Sequence, residues 1–311
     1  MTKKHSLFKS ALTVLAALYA GNTVIDYMAK EKKMCNTDKG NFYLWKEGEI
    51  YYTKHGSGSP IVFIHNLDTC SSTYEWSKLY YSLSKDHTVY ALDLLGCGQS
   101  DKPCMTYTNY LYVQLIRDFI HDIVREPADI IVSADSSSFV IMANHMDPTL
   151  FQNIIMINPC DPENMKLETT PLQMILKKIL FLPLIGTSLY NYYIREENIR
   201  DRFVREYFYD KVDKRYIETY YQSAHAHHSD GRFLYASKLC SYTNIDMSIG
   251  LKQKENLHII ESSQRKHSKK IIENYQKIND KITVTYISHA KLLPQLEKDD
   301  LDTIIEKILQ K

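Results

Sequence analysis

A chain of 311 residues can bury a large core, and its length suits one large domain or a domain carrying an insertion. Its 38 Lys and Arg nearly cancel 37 Asp and Glu, which excludes a global field that would gather nucleic acid. With 44% hydrophobic and 24% charged residues, the composition is globular and not that of a disordered chain.

The N-terminus differs from the rest of the chain. "MTKKHSLFKS" is basic, "ALTVLAALYAGNTVIDYMA" is mostly apolar, and "KEKK" comes next. As a helix, residues 11–28 reach about the minimum length for a bilayer, with Asp26 near the end. The small residues that precede a signal-peptidase cut are poorly matched, Leu18 and Ala20 standing at the key positions. Residues 1–35 are therefore read first as an uncleaved anchor that puts the protein at a membrane. A cleaved signal peptide on a secreted protein comes second, and a packed amphipathic helix third. Lysines on both flanks leave the orientation open.

From Asn41 the text alternates strand and helix. "EGEIYYTKHG" reads as a strand ending at a Gly-Ser-Gly-Ser-Pro turn. "IVFIH", "TVYALDLL", "DIIVSA", "NIIMIN", "NLHIIES" and "KITVTYIS" are short apolar runs suited to a sheet covered on both faces. Between them, "STYEWSKLYYSLSKD", "YTNYLYVQLIRDFIHDIV", "KKIIENYQKI" and "LDTIIEKIL" place apolar residues at helical spacing. This βαβ alternation predicts an α/β fold with a doubly wound, mostly parallel sheet. Within residues 162–248 the strands stop and helical segments such as "PLQMILKKILFLP" and "KRYIETYYQSAHAHH" take over. The simplest organisation is a core of residues 41–161 and 249–311 with a helical cap of residues 162–248.

Six cysteines, at 35, 70, 97, 104, 160 and 240, show no spacing of a structural zinc site. His225, His227 and His228 form a run without nearby carboxylate or cysteine spacing, so no metal is expected there. No Gly-rich phosphate loop follows a strand, so no nucleotide, flavin or other cofactor is implied.

Three blocks carry chemistry. "GSGSPIVFIHNLDTCSSTYEW", "VYALDLLGCGQSDKP" and "IIVSADSSSFVIMAN" occur in that order at spacings that resemble the α/β-hydrolase superfamily, over roughly residues 47–309. The second block is the most specific. Gly96 and Gly98 let its loop turn tightly, and Asp93 and Ser100 tie it by hydrogen bonds. The first block resembles the loop that opens the oxyanion hole. A backbone N–H near Leu67 would face the developing charge, Asn66 stands where the family has glycine, and His65 is structural.

The third block falls at the nucleophile elbow, a sharp turn that needs small residues around the attacking group. In one register Ala134-Asp135-Ser136-Ser137-Ser138 makes Ser136 the nucleophile, with the Ser137 amide as second oxyanion donor. One residue back, Asp135 attacks, which resembles epoxide hydrolases and haloalkane dehalogenases. Ser136 is preferred on steric grounds; a Ser-rich helix cap is the plain alternative. The family's histidine slot in "SHAKLLPQLEKDD" holds Leu292 when Pro294 and Glu297 are aligned, leaving His289 or a cap histidine as base. The usual acid position reads Ser263-Gln264-Arg265, so Asp161, with Glu163 beside it, is the substitute. The resemblance implies a serine hydrolase of a small ester or amide, its substrate an apolar acyl compound, and the N-terminal segment would anchor it in a membrane. The alternative is an inactive pseudo-hydrolase that binds a ligand or partner.

Overall fold

In the computed structural model, which describes residues 2–31, 40–253, 256–297 and 300–310, the apolar runs join into one sheet with helices on both faces. A hairpin of β1 (Asn41–Trp45) and β2 (Gly48–His55) precedes β3 (Pro60–Ile64), β4 (Thr88–Leu92), β5 (Ala128–Ser133), β6 (Phe151–Ile157), β7 (Leu257–Ser262) and β8 (Thr283–Ile287). The eight strands lie in the order β1-β2-β4-β3-β5-β6-β7-β8; β2 runs antiparallel to β1 and β4, and every other pair is parallel.

The helices begin with α1 (Thr2–Glu31), α2 (Ser77–Leu83), α3 (Asn109–Phe119) and α4 (Ser137–Met146). Between β6 and β7 come α5 (Pro171–Phe181), α6 (Ile185–Tyr193), α7 (Glu196–Arg202), α8 (Lys214–Ser229), α9 (Gly231–Leu239) and α10 (Ser248–Gln253). After β7 come α11 (Ser268–Ile278), α12 (Pro294–Glu297) and α13 (Leu301–Leu309). Cys35, and with it the end of the expected 1–35 segment, lies outside the described residues.

Strands β3 and β5 are buried along their whole length, as the continuous apolar runs require. Alternation divides their side chains. Val62, Ile64, Ile130 and Val132 join Tyr112, Ile116, Phe139 and Ile141 on one face. Ile61, Phe63 and Ile131 join Trp76, Leu79 and Ile305 on the other. Trp76 stacks on Phe63 with ring centroids 4.7 Å apart. A third apolar cluster, including Tyr190, Phe203, Tyr207 and Tyr220, joins the helices between β6 and β7 and reaches Cys70 and Leu293.

Because β3 lies between β4 and β5, the connections leaving β3 and β5 diverge, which makes the C-terminal ends of these strands the place where such sheets hold their sites. The loop after β4 braces that edge as the sequence predicts. Asp93 accepts from the amides of Thr73 (2.6 Å) and Gln99 (2.7 Å), while Ser100 Oγ donates to Asp93 O (2.6 Å) and accepts from Tyr51 N (2.9 Å). Gly98 carries φ 48°, and a Cβ there would stand 2.0 Å from Asp93 Oδ2. That oxygen is held by an amide and cannot yield cheaply. We expect Gly98→Ala to lower stability in urea unfolding by ~2–3 kcal/mol, combining left-handed strain with a displaced carboxylate; a loss under ~0.5 kcal/mol would show the loop to be pliant.

Candidate active site

The turn from β5 into α4 decides the chemistry. Ser133 ends the strand with extended backbone, φ −106° and ψ 138°, and the next residue, Ala134, carries φ 46°. Left-handed backbone on a residue with a Cβ is strained by ~1–2 kcal/mol, and in a nucleophile elbow the strained residue is the one that presents the attacking group. Here that residue bears a methyl. The expectation that the turn presents Ser136, or Asp135, is corrected by one or two residues. The strand stops at Ser133 instead of running through Ala134, and the following serines bond to main chain.

Ser136 is fully buried, and its Oγ donates to His65 O at 2.7 Å. Ser137 Oγ donates to Ala134 O, and its amide closes the turn onto Ala134 O and Asp135 O. That amide is therefore not turned to an oxyanion, contrary to the sequence expectation. Ser138 Oγ donates to Asp135 O at 2.9 Å. The run of serines is a hydrogen-bonded stitch between elbow and helix, the capping chemistry that serine offers.

One of the expected oxyanion donors is closed as well. With Ala134 on the strained residue, the donor that follows it is the Asp135 amide, which gives its hydrogen to Asn66 Oδ1 at 3.2 Å. A glycine at position 66 would leave that amide open; the asparagine side chain closes it. Leu67, the other expected oxyanion position, is fully buried, and its carbonyl accepts from Lys238 Nζ. Lys238, on α9, also pairs with Asp135 at 3.0 Å. Burial would lower this lysine, but Asp135 and Asp68 outweigh it and hold the ammonium above the usual lysine range. A second cation from the helices between β6 and β7, Arg202 of α7, meets Asp68 at 3.4 Å and Cys70 Sγ at 3.4 Å. Burial pushes the Cys70 thiol up to about 12, with Asp68 adding to it, so this cysteine stays protonated.

Base and acid are not brought to the elbow. His289 is exposed at φ 54°, its ring edge-on to Tyr209 with centroids 5.4 Å apart. Asp161 accepts from Glu163 N and Asn274 Nδ2, each at 3.0 Å, which makes it a turn residue tied to α11. Glu163 is exposed and pairs with Lys166 at 2.9 Å. The histidines at the end of α8 have separate partners: His225 Nδ1 meets Tyr221 O at 2.8 Å, and His228 meets Asp26 at 2.9 Å. Among the described residues no cluster of His, Cys, Asp or Glu could hold a metal. Where acid and histidine would meet there is a neutral knot that sequence reasoning missed. Asn158, at φ 45° just past β6, donates to Ser262 Oγ (2.9 Å), Lys291 O (2.7 Å) and Leu292 O (3.0 Å), and accepts from Ser262 N (2.7 Å). The signal was the "NPCDPE" phrase itself, in which Asn158 stands three residues nearer the strand than Asp161.

Beneath the elbow lie groups whose charge is suppressed. His65 is fully buried; its Nδ1 donates to Asn66 O at 2.7 Å, its Nε2 accepts from Leu94 N at 3.0 Å, and burial pushes the imidazole down to about 4. It is a neutral strut between two loops, as the sequence predicts. Glu75 is fully buried and faces Asn66 N and Gln295 Nε2, the latter at 2.7 Å. Burial raises its carboxyl to about 7 despite the hydrogen bonds it accepts.

A sequence model described as an alpha/beta hydrolase family matches residues 55–278. A haloalkane dehalogenase of Agrobacterium fabrum is 43% identical over 60 residues, 19% of this chain and 19% of that protein. A soluble epoxide hydrolase of a Corynebacterium species is 32% identical over 71 residues, 23% of this chain and 24% of that protein. The chain thus matches only about a fifth to a quarter of the length of these relatives. A probable hydrolytic enzyme from Pseudomonas aeruginosa has a similar solved structure, with a TM-score of 0.74 over 91% of this chain and 98% of its own. At 10% identity that likeness is one of fold.

The raised Glu75 carboxyl sets a direction for stability against pH. An acid whose folded pKa lies above its unfolded one stabilises the fold fully below the unfolded value and loses that contribution as pH rises through the folded value. From about 4.5 to about 7, then, the native state loses stability on this account. Asp93, raised by burial to about 6, acts in the same direction, while the lowered His65 acts oppositely. Both cancel in a comparison of wild type with Glu75→Gln. We expect the variant to gain on wild type between pH 5 and pH 8 by up to ~3 kcal/mol in chemical unfolding. A difference that stays flat would mean that Glu75 is solvated.

Proposed function

The chain belongs to the α/β-hydrolase family, and we propose that this member is a membrane-tethered binding scaffold that does not hydrolyse. The observation that carries the proposal is the Ala134 methyl on the strained residue of the elbow. A serine route through Ser136 would need its hydroxyl free and near an imidazole, whereas it is buried on the His65 carbonyl. The relatives named haloalkane dehalogenase and epoxide hydrolase raise the Asp135 route. Asp135 sits one residue past the strained position and is neutralised by Lys238, with His289 out at the surface. Triad members act as a unit, and removing one typically lowers turnover by ~10⁴-fold or more.

A hydrolase fold implies a small-molecule ligand, and the crevice between cap and core is the place for it. The cap cations Lys238 and Arg202 would give such a site polar contacts to an acyl or carboxyl compound without a group to attack it. The tether is α1, whose residues Leu12–Ala29 are long and apolar enough to cross a bilayer. Incubation of the full chain with a fluorophosphonate probe, followed by peptide mass analysis, tests the reading. We expect no adduct at Ser136, and p-nitrophenyl ester turnover equal in wild type, Ser136→Ala and His289→Ala. An adduct at Ser136 that vanishes in Ser136→Ala, or turnover abolished by His289→Ala, would restore the serine hydrolase.

A further inference from the structure

We propose that the cap enters the membrane beside α1: the bent pair α5–α6 is a second lipid-contacting surface, and its partner is the acyl region of a phospholipid bilayer. The inference rests on reading α1 as a membrane helix and goes beyond it, because an anchor alone would leave the cap in water.

Residue 22 carries the argument. Asn22 is a polar side chain inside the apolar run Leu12–Ala29, about 27 Å of helix. Its Nδ2 donates to Leu184 O at 3.2 Å, and its Oδ1 accepts from Ser188 Oγ and Asn191 Nδ2, each at 3.1 Å. One turn on, Asp26 pairs with His228 at 2.9 Å, where α8 breaks at Ala226. An amide in hydrocarbon must find its partners in protein, and here α6 and the residue before it supply them. Ala29, the end of the run, lies seven residues beyond Asn22, so the amide is well inside the span. Wherever the bilayer holds residue 22, it holds Leu184, Ser188 and Asn191 at the same depth.

The cap is built for that depth. Helices α5 and α6 meet at 109°, and the pair is together apolar enough for a broken span or a re-entrant loop. Its outward residues Leu172, Ile175, Leu182, Ile185, Leu189 and Tyr192 are all exposed. On α1 the side chains of Val14, Tyr19, Val24 and Met28 are exposed too. Large apolar side chains exposed together on neighbouring elements mark interaction surfaces. Of the two lysines on α5, Lys177 is turned back to the core: its Nζ donates to Thr106 Oγ1 at 2.8 Å and lies over the Tyr242 ring. Lys178 lines the same groove beside Tyr242, and its long stem lets the ammonium reach the headgroups. An apolar face beside a membrane helix, with its cations gathered at one edge, is the pattern of a surface lying in the bilayer.

Tryptophan emission in vesicles tests this in the full chain. The native Trp45 and Trp76 are buried in the core and give a steady background. Val14→Trp reports on α1, Ile175→Trp and Leu189→Trp on the cap, and Tyr286→Trp on an exposed site of β8. After reconstitution into phosphatidylcholine vesicles carrying bromine on the acyl chains, the added emission at 14, 175 and 189 should be mostly lost and that at 286 kept. Loss at 14 alone, with 175 and 189 as bright as 286, would overturn the cap surface while leaving the anchor intact. Retained emission at all four, in a chain that fails to float with vesicles, would remove the anchor and the proposal together. Unquenched but blue-shifted emission at 175 and 189 in a species of doubled mass would assign the face to a second copy, which also overturns it.

Discussion

A chain leaving the end of a buried parallel strand for the helix behind it must reverse within a few residues, and one of them takes left-handed backbone. Here that residue is Ala134, at φ 46°. Alanine is the smallest residue that still carries the Cβ penalty, and it brings no group that reacts. Once it occupies this position, the hydroxyls that come after it are free for structure. Ser136 holds the loop after β3 through His65 O, and Ser137 and Ser138 hold the turn through Ala134 O and Asp135 O. The Asp135 amide, which would face an oxyanion, faces Asn66 Oδ1. In this chain that amide is closed by the asparagine side chain.

The same closure continues outward. Lys238 and Arg202, from helices between β6 and β7, meet Asp135, the Leu67 carbonyl and Asp68. Burial alone would raise the Asp68 carboxyl, yet Arg202 and Lys238 outweigh it and keep it below the usual carboxylate range. Partly buried ion pairs add little net stability, because desolvation offsets attraction, but they are demanding about geometry. Helix α1 in turn meets the same group of helices through Asn22 and Asp26.

The sheet was legible because fully covered strands must be continuous apolar runs, and "PIVFI", "ADIIVS" and "FQNIIMI" are such runs. The loop "GCGQSD" was legible because its glycines and Asp93 have few other uses. Strand β1 was harder: Tyr43 and Trp45 pack inward while Phe42 and Leu44 are exposed, so apolar residues on both faces hide the alternation. The elbow was read at the wrong residue because several small residues in succession, Ser133 to Ser138, satisfy its steric rule in more than one register. Only backbone dihedrals separate the registers. Asn158 and Lys238 escaped notice for a different reason. Their partners come from β7, the loop after β8 and the loop after β3, and no local pattern announces contacts so distant in sequence.

The position of the strained residue can be measured in solution. Glycine adopts left-handed backbone without a Cβ penalty but destabilises ordinary positions by ~0.5–1 kcal/mol. Urea unfolding of Ala134→Gly, Asp135→Gly and Ser136→Gly therefore maps the turn. We expect Ala134→Gly to stay within ~0.5 kcal/mol of wild type or exceed it, and Ser136→Gly to lose ~1–2 kcal/mol with its hydrogen bond to His65 O. A loss of ~1 kcal/mol at 134 together with a gain at 136 would move the elbow onto Ser136 and return a nucleophile to the chain.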